Sequence, residues 1–141
     1  MKTPLPRVLV VSDSADLRWH FSTLLYELIV DVYWQLELKG LVEFAHWCEP
    51  HLVILAMRDL NDSYAAYQGL AGLLKDSAAR VALVGAPQDG APYPSRDRFQ
   101  LDGYLSAPPT LHELAWLVQQ CRMPAAKLPP KAGKPFSAPR V

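Results

Sequence analysis

The feature that most limits what this chain can fold into is an alternation along its length. Short aliphatic and β-branched runs take turns with longer segments whose apolar residues recur at helical spacing. The first run is RVLVV, residues 7–11, set between Pro6 and the polar Ser12-Asp13-Ser14. A compact run without polar alternation suits a strand covered on both faces, as in parallel sheets. Leu17, Phe21, Leu24, Leu25 and Leu28 follow at i, i+4, i+7, i+8 and i+11, one stripe of a helix, with Asp13 or Ser14 as its expected cap.

The alternation continues to residue 121. Residues 29–36 are β-branched and aromatic and predict a second strand; Lys39-Gly40 turns the chain. Leu41, Phe44, Ala45 and Cys48 make a short helical face that Pro50 ends. LVILA, residues 52–56, is the most apolar run and predicts a central strand. A polar loop over 58–62 leads to a helix with Asp62 or Ser63 as cap and Tyr67, Leu70, Ala71, Leu74 and Ala78 as its stripe. Gly69 and Gly72 weaken that helix. Residues 81–84 predict a fourth strand. From 88 to 100 the pattern fails, because Pro92, Pro94 and Gly90 leave room for at most one helical turn. Residues 103–106 predict a fifth strand. Thr110 and Glu113 have capping-box spacing ahead of a helix with Leu111, Leu114, Ala115, Val118 and Cys121 on one face.

Strands alternating with helices at this spacing imply βαβ units with right-handed crossovers. The expected fold class is α/β: a flavodoxin-like, doubly wound, five-stranded parallel sheet with helices on both faces and the fourth helix short or lost. Such sheets place their sites outside the carboxyl ends of the strands.

Charge divides the chain into an expected domain, residues 1–122, and a tail, 123–141. From Arg122 onward there are five basic residues and no acid, which leaves nine basic against fourteen acidic groups on residues 1–121. An acidic body argues against a broad nucleic-acid footprint, and no helix-turn-helix pattern stands out. The tail holds five prolines and predicts an extended, mobile segment without a packed core. No apolar run approaches the ~20 residues of a membrane span. The N-terminus lacks a signal-peptide stretch. Cys48 and Cys121 lie far apart and read as buried thiols of a reducing, cytoplasmic compartment.

Three segments carry a resemblance to a known family: Val8–Ser14 (VLVVSDS), residues 50–56 (PHLVILA) and residues 101–108 (LDGYLSAP). Together they resemble the response-regulator receiver (CheY-like) domain of two-component signalling, over roughly residues 6–122. The resemblance implies a phosphoryl-accepting Asp at the end of the third strand and an acidic pair after the first strand that holds Mg²⁺. It also implies a Ser or Thr after the fourth strand, a Lys after the fifth, and a switch aromatic on the fifth. At these positions the sequence has Ala56, then Ser12 and Asp13, then Gly85, Ala107 and Tyr104. Only the aromatic fits. A methyl group cannot be phosphorylated, one carboxylate holds Mg²⁺ weakly, and no cation remains at the Lys position to neutralise phosphate. The sequence therefore reads as a degenerate pseudo-receiver with no catalytic residue, no metal and no cofactor.

Other candidates are weaker. Asp59, three residues past Ala56, suits turn capping better than a displaced acceptor. The four histidines make no zinc spacing with the cysteines, and neither a P-loop nor a nucleophile elbow is present. Trp19 and Trp116 fall off the core stripes of their helices and are candidates for a partner surface. Arg96 and Arg98 could meet an anionic ligand, although a solvated charge run is the simpler account. The expectation is a non-enzymatic, phosphorylation-independent module that binds a protein partner or itself, with no specific nucleic-acid binding through the folded domain and no membrane. The alternatives are a small-molecule sensor that uses the emptied site between Ala56, Gly85 and Ala107, and the regulatory part of a transcription regulator.

Overall fold

A computed structural model describes residues 5–75, 77–84, 103–106 and 108–121. The expectations for Gly85, Arg96, Arg98, Ala107, the fourth helical connection and the tail all lie outside these residues.

Nine elements follow one another: β1 (Arg7–Val11), α1 (Ala15–Tyr26), β2 (Asp31–Gln35), α2 (Leu41–Cys48), β3 (Leu52–Leu55), α3 (Leu60–Lys75), β4 (Arg80–Val84), β5 (Gly103–Leu105) and α4 (Leu111–Cys121). Among the described residues the strands form one parallel sheet in the order β2-β1-β3-β4-β5. Val8 faces Val32 on one side and Leu52 on the other, so β1 and β3 lie inside the sheet and β2 at its edge.

The pleat explains why β1, β3 and β4 are apolar throughout. Odd-numbered Leu9, Val11, Val53, Leu55, Val81 and Leu83 pack under α2 and α3. Even-numbered Val8, Val10, Leu52, Ile54, Ala82 and Val84 pack under α1 and α4 with Phe21, Leu25, Leu114 and Leu117. Each strand buries both faces, so no polar alternation survives in its sequence.

Several expected boundaries shift. β2 is shorter than residues 29–36, and Ile29 and Leu36 are exposed, because an edge strand pairs only where β1 runs beside it. The cap of α3 is neither Asp62 nor Ser63. The helix begins at Leu60, and Asp59 caps it: its carboxylate accepts the Asn61 N–H and its carbonyl the Ser63 N–H. The buried stripe of α3 is Ser63, Ala66, Leu70 and Leu74; Ala71 and Ala78 are exposed, the latter beyond the end of the helix. α3 runs unbroken through Gly69 and Gly72. Gly40 does fulfil its turn role, with φ 78° at the start of α2, a left-handed conformation that costs glycine nothing. Cys48 is buried, whereas Cys121 is only half-buried.

Candidate functional site

The carboxyl ends of β1 and β3 are stitched together by short hydrogen bonds. The Ala56 N–H donates to the Val11 carbonyl at 2.8 Å, so the residue after β3 sits beside the end of β1. Ser12 is buried, and its Oγ donates to the Ala56 carbonyl at 2.9 Å while accepting the Ser14 N–H at 3.2 Å. Ser14 caps α1 through the Leu17 N–H at 3.3 Å. The cap is therefore Ser14, and Asp13 is left for another role.

Asp13 reaches across to the loop after β3. Its Oδ1 accepts the Arg58 N–H at 2.8 Å, and its Oδ2 lies 3.7 Å from Arg58 Nε. Sequence reasoning weighed Asp13 as a cap or as a cation ligand; the contact with Arg58 was legible in neither pattern. On the same loop the Met57 N–H donates to the buried Ser63 Oγ at 3.1 Å.

Ala56 itself is buried with the α1/α4-side core. Its methyl offers neither nucleophile nor ligand. Ser12 uses its hydroxyl as both donor and acceptor, and Asp13 is already paired with a guanidinium. Among the described residues no three His, Cys, Asp or Glu side chains are grouped to hold a metal ion.

Beyond β5, Glu113 joins two elements. Its carboxylate accepts from the Thr110 N–H and Oγ1, both at 2.9 Å, and Thr110 Oγ1 accepts the Glu113 N–H at 3.2 Å, which is the expected capping box. The same carboxylate takes the Ser106 N–H at 2.9 Å and its hydroxyl at 2.6 Å. Desolvation pushes the Glu113 carboxyl up, but the bonds from Ser106 and Thr110 together outweigh it and hold the group below its ordinary value. The Ser106 contact was not legible in the capping-box spacing. Tyr104 lies in β5, opposite Leu83, and its side chain is outside the described residues.

The two tryptophans singled out from sequence part company. Trp19 is 71% exposed on α1. Trp116 does not stand free on α4: it packs, partly buried, against the core that α1 and α4 share, because the two helices lie on the same face of the sheet. The second exposed tryptophan is Trp47, at 70%, stacked on Phe44 with Tyr33 edge-on to both. An aromatic beside the α2 stripe was the available signal.

No protein-family model matches this sequence, and no curated protein matches it significantly. Solved structures do match in shape. A CheY-like response-regulator receiver domain from Methylobacillus flagellatus has a TM-score of 0.67 at 18% identity, covering 84% of this chain and 99% of that one. The chemotaxis response regulator CheY4 of Vibrio cholerae gives 0.64 at 15%, covering 83% and 98%. A chain from the Saccharomyces cerevisiae co-crystal of the histidine phosphotransfer protein Ypd1 with the receiver domain of its downstream response regulator Ssk1 gives 0.65 at 15%, covering 85% and 90%. With its parallel sheet and two helical layers, the described chain has the fold of a CheY-like receiver domain.

Proposed function

We propose that this chain is a receiver-like signalling module that acts without phosphorylation, as a platform for contact with a protein partner or a second copy of itself, and that it is not an enzyme. The observation that carries this is Ala56, buried at the end of β3, where the resemblance puts the acceptor carboxylate. Ser12 and Asp13, at the positions of the metal-binding pair, are engaged by the Ala56 carbonyl and by Arg58. The sequence at 85 and 107 supplies no hydroxyl and no ammonium. Phosphoryl transfer depends on such groups for positioning and charge neutralisation, so the fold is kept here without its chemistry.

Trp19 supports the platform reading. Large exposed aromatics are enriched at protein interfaces and costly on a surface that meets only water. The yeast neighbour shows a receiver domain in complex with a histidine phosphotransfer protein. The sensing alternative at the emptied site gains nothing from Ala56, which is fully enclosed.

The test is incubation with acetyl phosphate and Mg²⁺, and in parallel with beryllofluoride and Mg²⁺. The expected outcome is an unchanged intact mass and no saturable amide shifts at residues 12–14 and 56–58. Stoichiometric gain of one phosphoryl group, or saturable shifts there, would overturn the proposal.

A further inference from the structure

An aromatic patch stands where α2 packs beside the edge strand. Tyr33 of β2 meets Phe44 and Trp47 of α2 edge-on, with ring centroids 6.2 and 5.8 Å away, and Phe44 stacks on Trp47 at 5.7 Å. The two partners hold the Trp47 ring in place and still leave the residue exposed. Residues 31–49, which carry the three rings, include four exposed acidic residues, Asp31, Glu37, Glu43 and Glu49, against the single cation Lys39. Glu43 stands one helical turn before Trp47, on the same face of α2. The patch is therefore an exposed aromatic surface rimmed by negative charge.

The chain beyond α4 starts close by. Cys121 ends α4, and its thiol donates to the His51 carbonyl at 3.5 Å. The Arg7 N–H donates to His51 Nδ1 at 2.9 Å, and Arg7 Nε donates to the Cys48 and Glu49 carbonyls, both at 2.9 Å. These contacts connect the last residue of α4 to the end of α2, where Cys48 follows Trp47. Residues 122–141 carry five prolines, five basic side chains and no acidic one. Pro129 comes eight residues after Cys121. That length of polyproline II chain reaches about 25 Å, roughly twice the width of a helix. The tail can therefore meet Trp47 without disturbing the sheet or its helices.

We propose that residues 122–141 dock on this patch of their own chain, with Pro129 and Pro130 laid on the Trp47 ring as polyproline II and Lys127, Lys131 and Lys134 set against the carboxylates of its rim. Proline-rich segments dock on aromatic surfaces because polyproline II is already extended, so little conformational freedom is lost on binding. A cation over the face of a tryptophan adds to the attraction. Charge selects the tail over a second copy of the domain. A two-fold contact would set this acidic patch against itself, whereas the tail brings five basic groups to a body with nine basic and fourteen acidic ones. An extended strap also needs no core of its own, as the tail's composition requires. The inference does not depend on how the carboxyl-end loops are read. It gives the module one aromatic face, at Trp47, that its own chain covers, and leaves Trp19 to other partners.

The test uses the full 141-residue chain, labelled with ¹³C and ¹⁵N. At about 0.01 M NaCl the Debye length is about 30 Å. Nuclear Overhauser contacts are expected there between the Trp47 ring and Pro129 or Pro130, and amide order parameters at Leu128 and Lys131 are expected to exceed about 0.6. Raising NaCl to about 1 M, which shortens the Debye length to about 3 Å, is expected to lower those order parameters. Trp47→Ser is expected to bring them below about 0.6 in low salt while the sheet amides keep their positions. Tail amides below that value in the wild type without contacts to Trp47, ordering insensitive to salt, or ordering that persists in a folded W47S variant would each overturn the proposal. So would contacts that grow as protein concentration rises about tenfold, since a second copy would then be the occupant. The ring contacts and the salt series need no variant, so the outcome does not depend on W47S folding.

Discussion

Ala56 carries the functional proposal on a single methyl group. Putting a carboxylate back does not put the chemistry back. Ala56→Asp buries a charge in the α1/α4-side core, where it must either take up a proton or displace its neighbours. The expected cost is about 2–4 kcal/mol in urea denaturation. The variant is still expected to take no phosphoryl group from acetyl phosphate, because the sequence has no Lys at 107 and no hydroxyl at 85. The tryptophans make the complementary case. Trp19→Ser is expected to change stability by less than about 0.5 kcal/mol, as surface substitutions do, and to weaken partner capture or self-association. Trp116→Ala removes partly buried packing and is expected to cost about 2 kcal/mol by the same denaturation assay. If the two costs were reversed, the assignment of surface and core to these residues would be wrong. Nothing in the sequence separates them, since both fall off the stripe of their helix; the packing of Trp116 against the core that α1 and α4 share decides which one is covered.

At the scale of elements, the caps were the most legible feature, and their partners across the fold the least. Thr110 and Glu113 announce the start of α4 through a spacing of three residues, and the structure has that box. The contact of Glu113 with Ser106 ties the end of β5 to the helix it feeds. The expected cost of Glu113→Ala near neutral pH is about 1–2 kcal/mol, for a lost cap and an unmet backbone donor. Its pH dependence has a definite sign. The folded carboxyl titrates below its ordinary 4.5, so the unfolded chain binds more protons in the window between the two values. The stabilisation is fully present above 4.5 and disappears as pH falls through the lower, folded value. The difference in denaturation midpoint between wild type and E113A should therefore be constant above pH 5 and shrink below it; a difference that grew in acid would contradict the hydrogen bonds. α3 teaches the opposite lesson. Its polar first turn offers Asp59, Asp62 and Ser63 as caps by composition, and only backbone geometry selects Asp59.

For the molecule as a whole, the sheet sets the order of local stability. β1, β3 and β4 are buried along their lengths, while edge strand β2 pairs with β1 alone and is at best half-buried. Amides inside β1 and β3 are expected to exchange only through global opening, and those of β2 at least about tenfold faster through local opening. Equal protection across the two sets would show that the edge is covered in solution. Both ends of this sheet matter. The carboxyl ends hold the loops tied by Ser12 and Asp13, and at the amino ends Arg7 exchanges hydrogen bonds with His51, whose carbonyl accepts the Arg80 N–H.

By itself the sequence determined the run of strands and helices, because strands buried on both faces and helices buried on one must write their periods into the apolar residues. It also determined that position 56 has no nucleophile. The tertiary structure alone decided that Asp13 meets Arg58, that Ser12 holds the carbonyl of Ala56, and that Arg7 and His51 exchange hydrogen bonds. These partners stand 44 and 45 residues apart along the chain in the contacts of Ser12, Arg7 and Asp13. No local period encodes such distances; strand order and parallel register bring the residues together.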